Sequence, residues 1–395
     1  MMTTLAAFSA ACSAASPQPP AATSPTTAGD GTSAESTTGG ESRPVPTRPS
    51  APTGELPAAL QTRLQSALDQ TMQQYDVPGA AVGVWIPGEG AWVTAAGRAD
   101  IAGDVPVTTE MTWPLRSVTK SYTVTLILQL VDEKVIGLDD TIDTYVDGVT
   151  DGDTITLRQL TDMSSGNADY TGDGFRREFG QDPDKIFTLD ELNSLALGRP
   201  AQFAPGTERI YTNANTNLLG AVVEKITGEP FAEVLQRRIL TPLGQQGTRY
   251  VLDASTWTTP HPVGYAPGDA GPQPQPTNLS IYGPAGSMIS SLDDARVWGE
   301  TLATGTLLAP ATQRERLLGA PLQKGPPYDL YALGIGETDG WWGHNGEGFG
   351  FTAAVFHQPT SGATVVVFMN ESNVVPKAHP ADQLFRRIAA VLPRS

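Results

Sequence analysis

Two β-hairpins at opposite ends of the folded part of the chain constrain its fold most strongly. The segments GAAVGVWI and AWVTAAGRA, joined by the turn PGEG, predict the first hairpin, and a helical pattern of leucines precedes it at 57–76. Near the end of the chain, GFTAAVFH, the turn QPTSG and ATVVVFMNE predict a second hairpin, followed by a helix at 381–392. This mirrored order predicts one antiparallel sheet built from both termini, with the terminal helices packed on one face.

The sequence between the hairpins predicts a mostly helical lobe, at about 117–324. The segments TLRQLTDM and NTNLLGAVVEKITG have helical periodicity, and SSLDDARVWGETLATG opens with the pair Ser291 and Asp294, which is typical of a capping box. The predicted fold class is therefore α+β. A cleft between the sheet and the lobe is the expected position of a functional site.

The first part of the chain has a different composition from the rest. Residues 13–54 contain no aromatic residue and a single branched aliphatic one, Val45, among Ser, Thr, Pro, Ala and Gly. Such a segment buries too little apolar surface to offset the entropy lost on ordering. We therefore predict a disordered linker at 13–55 and one folded domain at 56–395.

The chain has one cysteine, Cys12, at the end of the short apolar run LAAFSAAC. This pattern resembles a bacterial lipoprotein signal at 1–12, in which the cysteine is lipidated and becomes the new N-terminus. It predicts an exported protein of the cell envelope, anchored by lipid to the outer face of the cytoplasmic membrane. The alternative is a truncated signal with an incidental cysteine.

Charge and composition exclude several classes of function. The formal net charge of −17 argues against a nucleic-acid partner, because binding to phosphate depends on cationic contacts. A single cysteine excludes an internal disulfide framework. We expect no metal and no other cofactor, since metal-ligand spacing is missing from the four histidines, His261, His344, His357 and His379.

The stretch WPLRSVTKSYTVTLILQLVDE predicts an apolar helix that begins after Pro114. Ser117 and Lys120 are three residues apart, so they lie on the same face of this helix. One interpretation is an N-cap serine followed by a surface lysine. The other is a nucleophile with its proton acceptor, because a serine hydroxyl needs a base within hydrogen-bond reach to react at neutral pH.

Two further motifs favour the second interpretation. Tyr211 and Asn213 are two residues apart in ERIYTNANTN, and His344 and Gly346 are two apart in WWGHNGEGFGF. Each pair alone is weak evidence, since such residues are usually structural. In this order after Ser117, the motifs are far more specific.

Together the motifs resemble those of the serine hydrolases related to class C β-lactamases and D-alanyl-D-alanine carboxypeptidases. That family carries Ser-x-x-Lys, then Tyr-x-Asn, then His-x-Gly or Lys-Thr-Gly, and the likeness extends from about residue 57 onward. Carboxypeptidases with His-x-Gly are the most similar members. The resemblance implies a β-lactamase/transpeptidase-like fold and a penicillin-recognising site.

Each residue of the first two motifs can then be given an expected role in catalysis. Ser117 is the expected nucleophile, and Lys120 should lose its proton easily through burial and the field of the helix N-terminus. Tyr211 is expected to relay the proton, as base in acylation and as acid towards the leaving group. The resemblance implies that Asn213 contacts substrate and steadies Lys120.

The resemblance also assigns the residues of the third motif. It implies that His344, Asn345 and Gly346 bind substrate, and that the backbone N–H groups of Ser117 and Glu347 form the oxyanion hole. The family usually has Ser or Thr where this chain has Glu347. A carboxylate there would disfavour substrates that end in a free carboxylate.

The expected function is hydrolysis of a small peptide, amide or ester through an acyl-enzyme. The most concrete form is a D-alanyl-D-alanine carboxypeptidase-like or β-lactamase-related enzyme, with a peptidoglycan stem peptide or a β-lactam as partner. One alternative is an esterase with the same catalytic residues. Another is a catalytically silent module that binds penicillin or peptidoglycan.

Overall fold

The computed structural model describes residues 46–372 and 379–392 of the chain. The predicted signal with Cys12 and residues 13–45 of the predicted linker lie outside the described residues, so both remain predictions. In the described residues, no helix combines the length and apolar character that crossing a bilayer requires.

The described residues form ten α-helices and thirteen strands. The helices, in chain order, are α1 (Ala58–Tyr75), α2 (Thr119–Asp132), α3 (Leu157–Thr161), α4 (Asp173–Gln181), α5 (Leu189–Ser194), α6 (Asn213–Thr227), α7 (Phe231–Leu235), α8 (Leu292–Thr304), α9 (Pro310–Arg316) and α10 (Pro380–Val391). The strands are β1 (Gly79–Ile86), β2 (Gly90–Asp100), β3 (Val105–Pro106), β4 (Trp113–Pro114), β5 (Arg249–Tyr250), β6 (Tyr265–Ala266), β7 (Gln273–Pro274), β8 (Met288–Ser290), β9 (Leu330–Tyr331), β10 (Gly336–Thr338), β11 (Trp341–Gly348), β12 (Phe351–Gln358) and β13 (Ala363–Met369).

The main sheet joins the two ends of the chain. Its antiparallel strands lie in the order β3-β2-β1-β13-β12-β11-β10-β9, and β1 pairs with β13 so that Val82 lies opposite Val367. The predicted hairpins are β1–β2 and β12–β13. The prediction of one antiparallel sheet assembled from both termini is confirmed.

Both faces of the sheet are covered, and this explains why its central strands are apolar throughout. The terminal helices α1 and α10 pack on one face, where Phe385 stacks on Phe356 with ring centroids 4.1 Å apart. Helix α8 and the helical lobe cover the other face. Every residue of β1 and β13 is buried as a result. A strand buried on both faces loses the alternation of polar and apolar residues.

One end of β11 lies between the sheet and the lobe. Strand β10 pairs with β11 only at Trp341, Trp342 and Gly343, whereas β12 pairs with it as far as Gly348. The last residues of β11 therefore have β12 on one side, and the turn that precedes α2 packs against them. This arrangement brings the third sequence motif next to the first.

The predicted cap of α8 forms in part. The Ser291 side chain accepts a hydrogen bond from the Asp294 N–H, at 3.2 Å. The Asp294 carboxylate accepts from the N–H of Gly247, at 2.7 Å, and pairs with Arg48. It therefore ties α8 to two other segments of the chain.

The folded domain begins earlier than predicted. The Arg48 guanidinium lies 2.6 Å from the Asp293 carboxylate and 2.9 Å from that of Asp294, and it also donates to the Gly244 carbonyl. The Arg296 side chain donates to the Pro49 carbonyl at 3.0 Å. The described end of the predicted linker is thus bound to α8, because a basic residue in it meets two acidic ones. Composition alone did not reveal this contact.

Candidate active site

Ser117 lies in a single turn of 3-10 helix, Arg116–Val118, directly before α2. Gly346 of β11 packs against this turn. A Cβ atom on Gly346 would lie 2.3 Å from the Leu115 carbonyl oxygen and 2.9 Å from the Ser117 nitrogen. Only glycine allows the strand to approach the serine so closely. The structure thus shows close approach of Gly346 to the backbone of the predicted nucleophile, and its binding to substrate stays a prediction.

Lys120 lies one turn after Ser117 and is fully buried. Its Nζ atom is 3.1 Å from the Ser117 Oγ, 2.7 Å from the Asn213 Oδ1 and 3.0 Å from the Ala285 carbonyl oxygen. The interpretation of Lys120 as a surface lysine is therefore wrong. Helix α2 is buried from Thr119 to Leu130, so the side chain has no route to solvent along it.

Burial gives Lys120 the properties of a base. It lowers the pKa of Lys120 to about 7, although the negative charge of Asp169 opposes the shift. A neutral amine has two N–H donors and one lone pair. It can donate to the Asn213 amide oxygen and the Ala285 carbonyl while it accepts the hydroxyl proton of Ser117. The three contacts thus suit a neutral amine as well as a charged one.

Asp169 orients this group and was not identified from the sequence. Its Oδ2 accepts hydrogen bonds from the Asn213 backbone N–H at 2.7 Å and from the Asn213 side-chain amide at 3.2 Å. The second bond turns the amide oxygen of Asn213 towards Lys120. Asn213 therefore steadies Lys120 as predicted, and its contact with substrate stays a prediction.

Tyr211 lies against Lys120, whose Nζ is 4.9 Å from the centre of the phenol ring. The hydroxyl oxygen is buried and faces Ser117, but it makes no hydrogen bond of good geometry among the described residues. Burial raises the pKa of Tyr211 well above its ordinary value. The neutral phenol is therefore favoured, which suits the predicted acid role. Lys120 is the better candidate for the base in acylation.

His344 lies behind Tyr211 instead of lining an open pocket. It is fully buried, and its Nδ1 and Nε2 are each 3.2 Å from a tyrosine hydroxyl, of Tyr328 and Tyr331 respectively. Its ring centroid is 6.2 Å from that of Tyr211. Burial lowers the pKa of His344 to about 3, so the ring is neutral. The His344 side chain therefore contacts tyrosines inside the protein, and its contact with substrate stays a prediction.

Asn345 faces the opposite side of the sheet. Its side-chain amide donates to the Asp382 carboxylate of α10 at 3.2 Å, and its Oδ1 accepts from the Tyr328 hydroxyl at 2.7 Å. Adjacent residues of a strand point to opposite faces. The prediction that Asn345 binds substrate is therefore wrong, and the side chain instead ties the sheet to the terminal helix.

Glu347 is exposed at the end of β11 that reaches the nucleophile. Its negative charge acts on Tyr282, whose pKa is raised chiefly by burial and further by this carboxylate, against the opposing charge of Arg116. The role of the Glu347 N–H as an oxyanion donor stays a prediction.

Comparisons with known proteins identify the family of the chain. The model of the Beta-lactamase family matches residues 64–390. The D-aminopeptidase of Brucella anthropi is 28% identical over 315 residues, which are 78% of this chain and 59% of that protein. The D-aminopeptidase of Brucella ovis is 30% identical, over 78% of this chain and 60% of that protein. The chain thus spans about three fifths of the length of these relatives.

Solved structures show the same fold. A D-stereospecific amidohydrolase from Streptomyces sp. superposes with a TM-score of 0.71 at 26% identity, covering 85% of this chain and 99% of that one. The D-amino acid amidase of Ochrobactrum anthropi SV3 in complex with D-phenylalanine gives 0.74 at 21% identity, with coverage of 85% and 99%. The chain belongs to the β-lactamase family of serine hydrolases. The predictions of this family and of its α+β fold are confirmed.

Proposed function

We propose that the protein is a serine amidohydrolase that cleaves the amide bond on the carboxyl side of a D-amino acid. The observation that carries the proposal is the contact of the buried Lys120 amine with the Ser117 hydroxyl, at 3.1 Å. The relatives support the substrate class, since the similar proteins include D-aminopeptidases and a D-stereospecific amidohydrolase.

Acylation begins when the neutral Lys120 amine accepts the proton of the Ser117 hydroxyl. The serine oxygen attacks the substrate carbonyl and forms a tetrahedral intermediate, whose negative oxygen accepts from the N–H groups of Ser117 and Glu347. The leaving amine must gain a proton as the carbon–nitrogen bond breaks. The Tyr211 phenol donates it and regains one from the Lys120 ammonium. The products are the acyl-enzyme at Ser117 and a free amine or ammonia.

Deacylation uses the same groups in reverse. Water takes the position left by the amine and gives a proton to Lys120, through Tyr211 or directly. The hydroxide attacks the ester carbonyl, and the Ser117 oxygen leaves with a proton returned by the lysine. Asn213 and the Ala285 carbonyl hold the Lys120 amine near the Ser117 hydroxyl throughout.

A Glu347 carboxylate turned towards the substrate would favour an amide over a peptide with a terminal carboxylate. Two carboxylates 4 Å apart repel by about 1 kcal/mol in water, and several-fold more in a partly dry cleft. A D-amino acid amide carries no carboxylate, and its free ammonium would be attracted. D,D-carboxypeptidase activity, the more concrete expectation from the sequence, is the less favoured form of the proposal, because the similar proteins are D-aminopeptidases and a D-stereospecific amidohydrolase.

The proposal is tested by comparing kcat/KM for D-alanine amide, L-alanine amide, a D-alanyl-D-alanine peptide and an uncharged p-nitrophenyl ester. We expect hydrolysis of the D-amide in preference to the L-amide, and no hydrolysis by Ser117→Ala. Faster cleavage of the peptide than of the amide would indicate a carboxypeptidase, and turnover of the ester alone an esterase. A stable adduct with penicillin and no turnover would indicate a binding module.

Glu347→Thr sharpens the same comparison. If the carboxylate repels terminal carboxylates, this variant should gain kcat/KM on the D-alanyl-D-alanine peptide relative to the uncharged ester. An equal change on both substrates would mean that Glu347 does not set the charge preference.

We also propose that the protein is exported and lipid-anchored through Cys12. The support is the sequence pattern alone, a cysteine after small and apolar residues followed by a polar tether. Fractionation of a host that processes lipoproteins should give the protein in the membrane fraction, and Cys12→Ala should release it. Recovery of full-length protein from the cytosol would contradict this proposal.

A further inference from the structure

Arg116, the residue before the nucleophile, is a fully buried cation. Among the described residues, no carboxylate lies within ion-pair distance of its guanidinium. Burial lowers the pKa of Arg116, because the buried guanidinium charge loses its hydration. An unpaired buried cation is rare, since removing a charge from water is unfavourable without compensation. Its hydrogen bonds should therefore indicate what the side chain is for.

The guanidinium binds the turn between β11 and β12. Its Nε donates to the Gly348 carbonyl at 3.0 Å, and its Nη2 donates to the Phe349 carbonyl at 3.2 Å. The Tyr282 and Phe351 rings lie against it, with centroids 4.7 and 5.3 Å from the Cζ atom. The side chain thus crosses from the nucleophile turn to the end of β11.

The backbone of Arg116 has an unusual conformation for this residue type. Its φ of 50° lies in the left-handed region, which glycine adopts freely and other residues rarely. Residues held in such conformations cluster at functional sites. Arg116 therefore has its backbone in the turn that carries Ser117 and its guanidinium on the β11–β12 turn.

Two contacts therefore hold Glu347 in position relative to Ser117. Gly346, the residue before it, packs against the Ser117 nitrogen, and Gly348, the residue after it, accepts from Arg116. An oxyanion hole works only when both N–H groups point at the position of the negative oxygen. We infer that Arg116 is a positioning residue that fixes the two oxyanion donors relative to each other. This inference rests on the proposed acyl-enzyme mechanism.

Arg116→Gly is the appropriate variant, because glycine accepts the backbone conformation and removes only the side chain. Acylation should be followed with p-nitrophenyl acetate, which reports on Ser117 whatever the natural substrate is. We expect the acylation rate constant to fall by about 10- to 100-fold, with KM little changed, since loss of one oxyanion donor costs about 10²- to 10³-fold and a displaced donor less. The acid limb of the pH profile should not move, because Lys120 is unaffected.

Chemical rescue separates positioning from a general loss of structure. Low millimolar ethylguanidinium should restore part of the rate of Arg116→Gly, and ethylammonium should restore much less, because the planar guanidinium presents its N–H groups in the fixed geometry that the two carbonyls accept. Arg296→Met is the matched control. Arg296 is also buried and donates to a backbone carbonyl, that of Pro49, but it lies on α8. We expect Arg296→Met to lower stability and leave the acylation rate unchanged.

An unchanged acylation rate in Arg116→Gly would overturn the inference. So would an equal loss of rate in Arg296→Met, or a loss confined to KM. Absence of an acyl-enzyme in the unmodified protein would instead overturn the proposed function, so the two failures are distinguishable.

Discussion

Lys120 and His344 are two buried basic side chains that lie against the same tyrosine, Tyr211, yet their surroundings differ. Burial lowers the pKa of both, to about 7 for Lys120 and about 3 for His344. Lys120 contacts a serine hydroxyl, whereas His344 contacts two tyrosine hydroxyls inside the protein. A buried base is useful to catalysis only where its lone pair faces the reacting group, and only Lys120 meets that condition.

The largest difference in activity between the Lys120 and His344 regions should appear when each residue is substituted. We expect Lys120→Met to lower kcat/KM by about 10²- to 10⁴-fold, the usual contribution of a general base. Steady-state kinetics on the best amide substrate measures this effect. Activity within a few-fold of the unmodified protein would mean that another group removes the serine proton.

The pH dependence of activity should follow Lys120 alone. Because the catalytic form is the neutral amine, kcat/KM should fall about tenfold per pH unit below a pKa of about 7 and reach a plateau above it. A second limb from His344 is not expected, since its pKa of about 3 keeps it neutral. An acid limb near pH 7 that persists in Lys120→Met would assign the titration to another group.

The lowered pKa of Lys120 should also make the free energy of unfolding depend on pH. The pKa of Lys120 is about 7 in the folded protein and 10.5 ordinarily, so the unfolded chain binds more protons between these values. The free energy of unfolding of the unmodified protein, relative to Lys120→Met, should therefore rise by about 1.4 kcal/mol per pH unit in this range. Denaturant unfolding at pH 7, 8 and 9 measures the slope. An equal pH dependence of the free energy of unfolding in the two proteins would contradict the lowered pKa of Lys120.

The smallest effect on activity should come from His344→Gln. Loss or weakening of its bonds to Tyr328 and Tyr331 should cost about 1–3 kcal/mol of stability, because buried hydroxyls lose a partner. Activity of the folded variant should fall far less than that of Lys120→Met. Comparison of kcat/KM with the midpoint of thermal unfolding separates the two effects. Loss of activity comparable to that of Lys120→Met would restore a direct role for His344.

Local spacing predicted the part of the site that lies on one helix. Ser117 and Lys120 are three residues apart, so their contact follows from helical geometry. The hairpins likewise followed from strands and turns close together in sequence. Asp169 could not be predicted, because its contact with Asn213 joins segments 44 residues apart and depends on tertiary packing. The Ala285 carbonyl that binds Lys120 is a backbone group without a sequence signal.

The residues of the third motif differ in how far the sequence could predict their contacts. His344 was assigned to substrate by resemblance, and its burial behind Tyr211 depends on tyrosines that no spacing connects to it. Asn345 could have been excluded from the sequence, since strand alternation places it opposite to its two neighbours. Gly346 approaches the Ser117 turn, a contact that the sequence did not predict, and its binding to substrate stays a prediction.

The central claim is that Ser117 becomes acylated with the help of Lys120, and an intact-mass experiment tests it most directly. The protein is mixed with p-nitrophenyl acetate above pH 7, quenched rapidly in acid, weighed and mapped by proteolysis. We predict one acetyl group on the peptide that contains Ser117, its slower formation in Lys120→Met and its absence in Ser117→Ala. An adduct that persists in Ser117→Ala, or that maps to Ser164 or Ser165, would contradict the account.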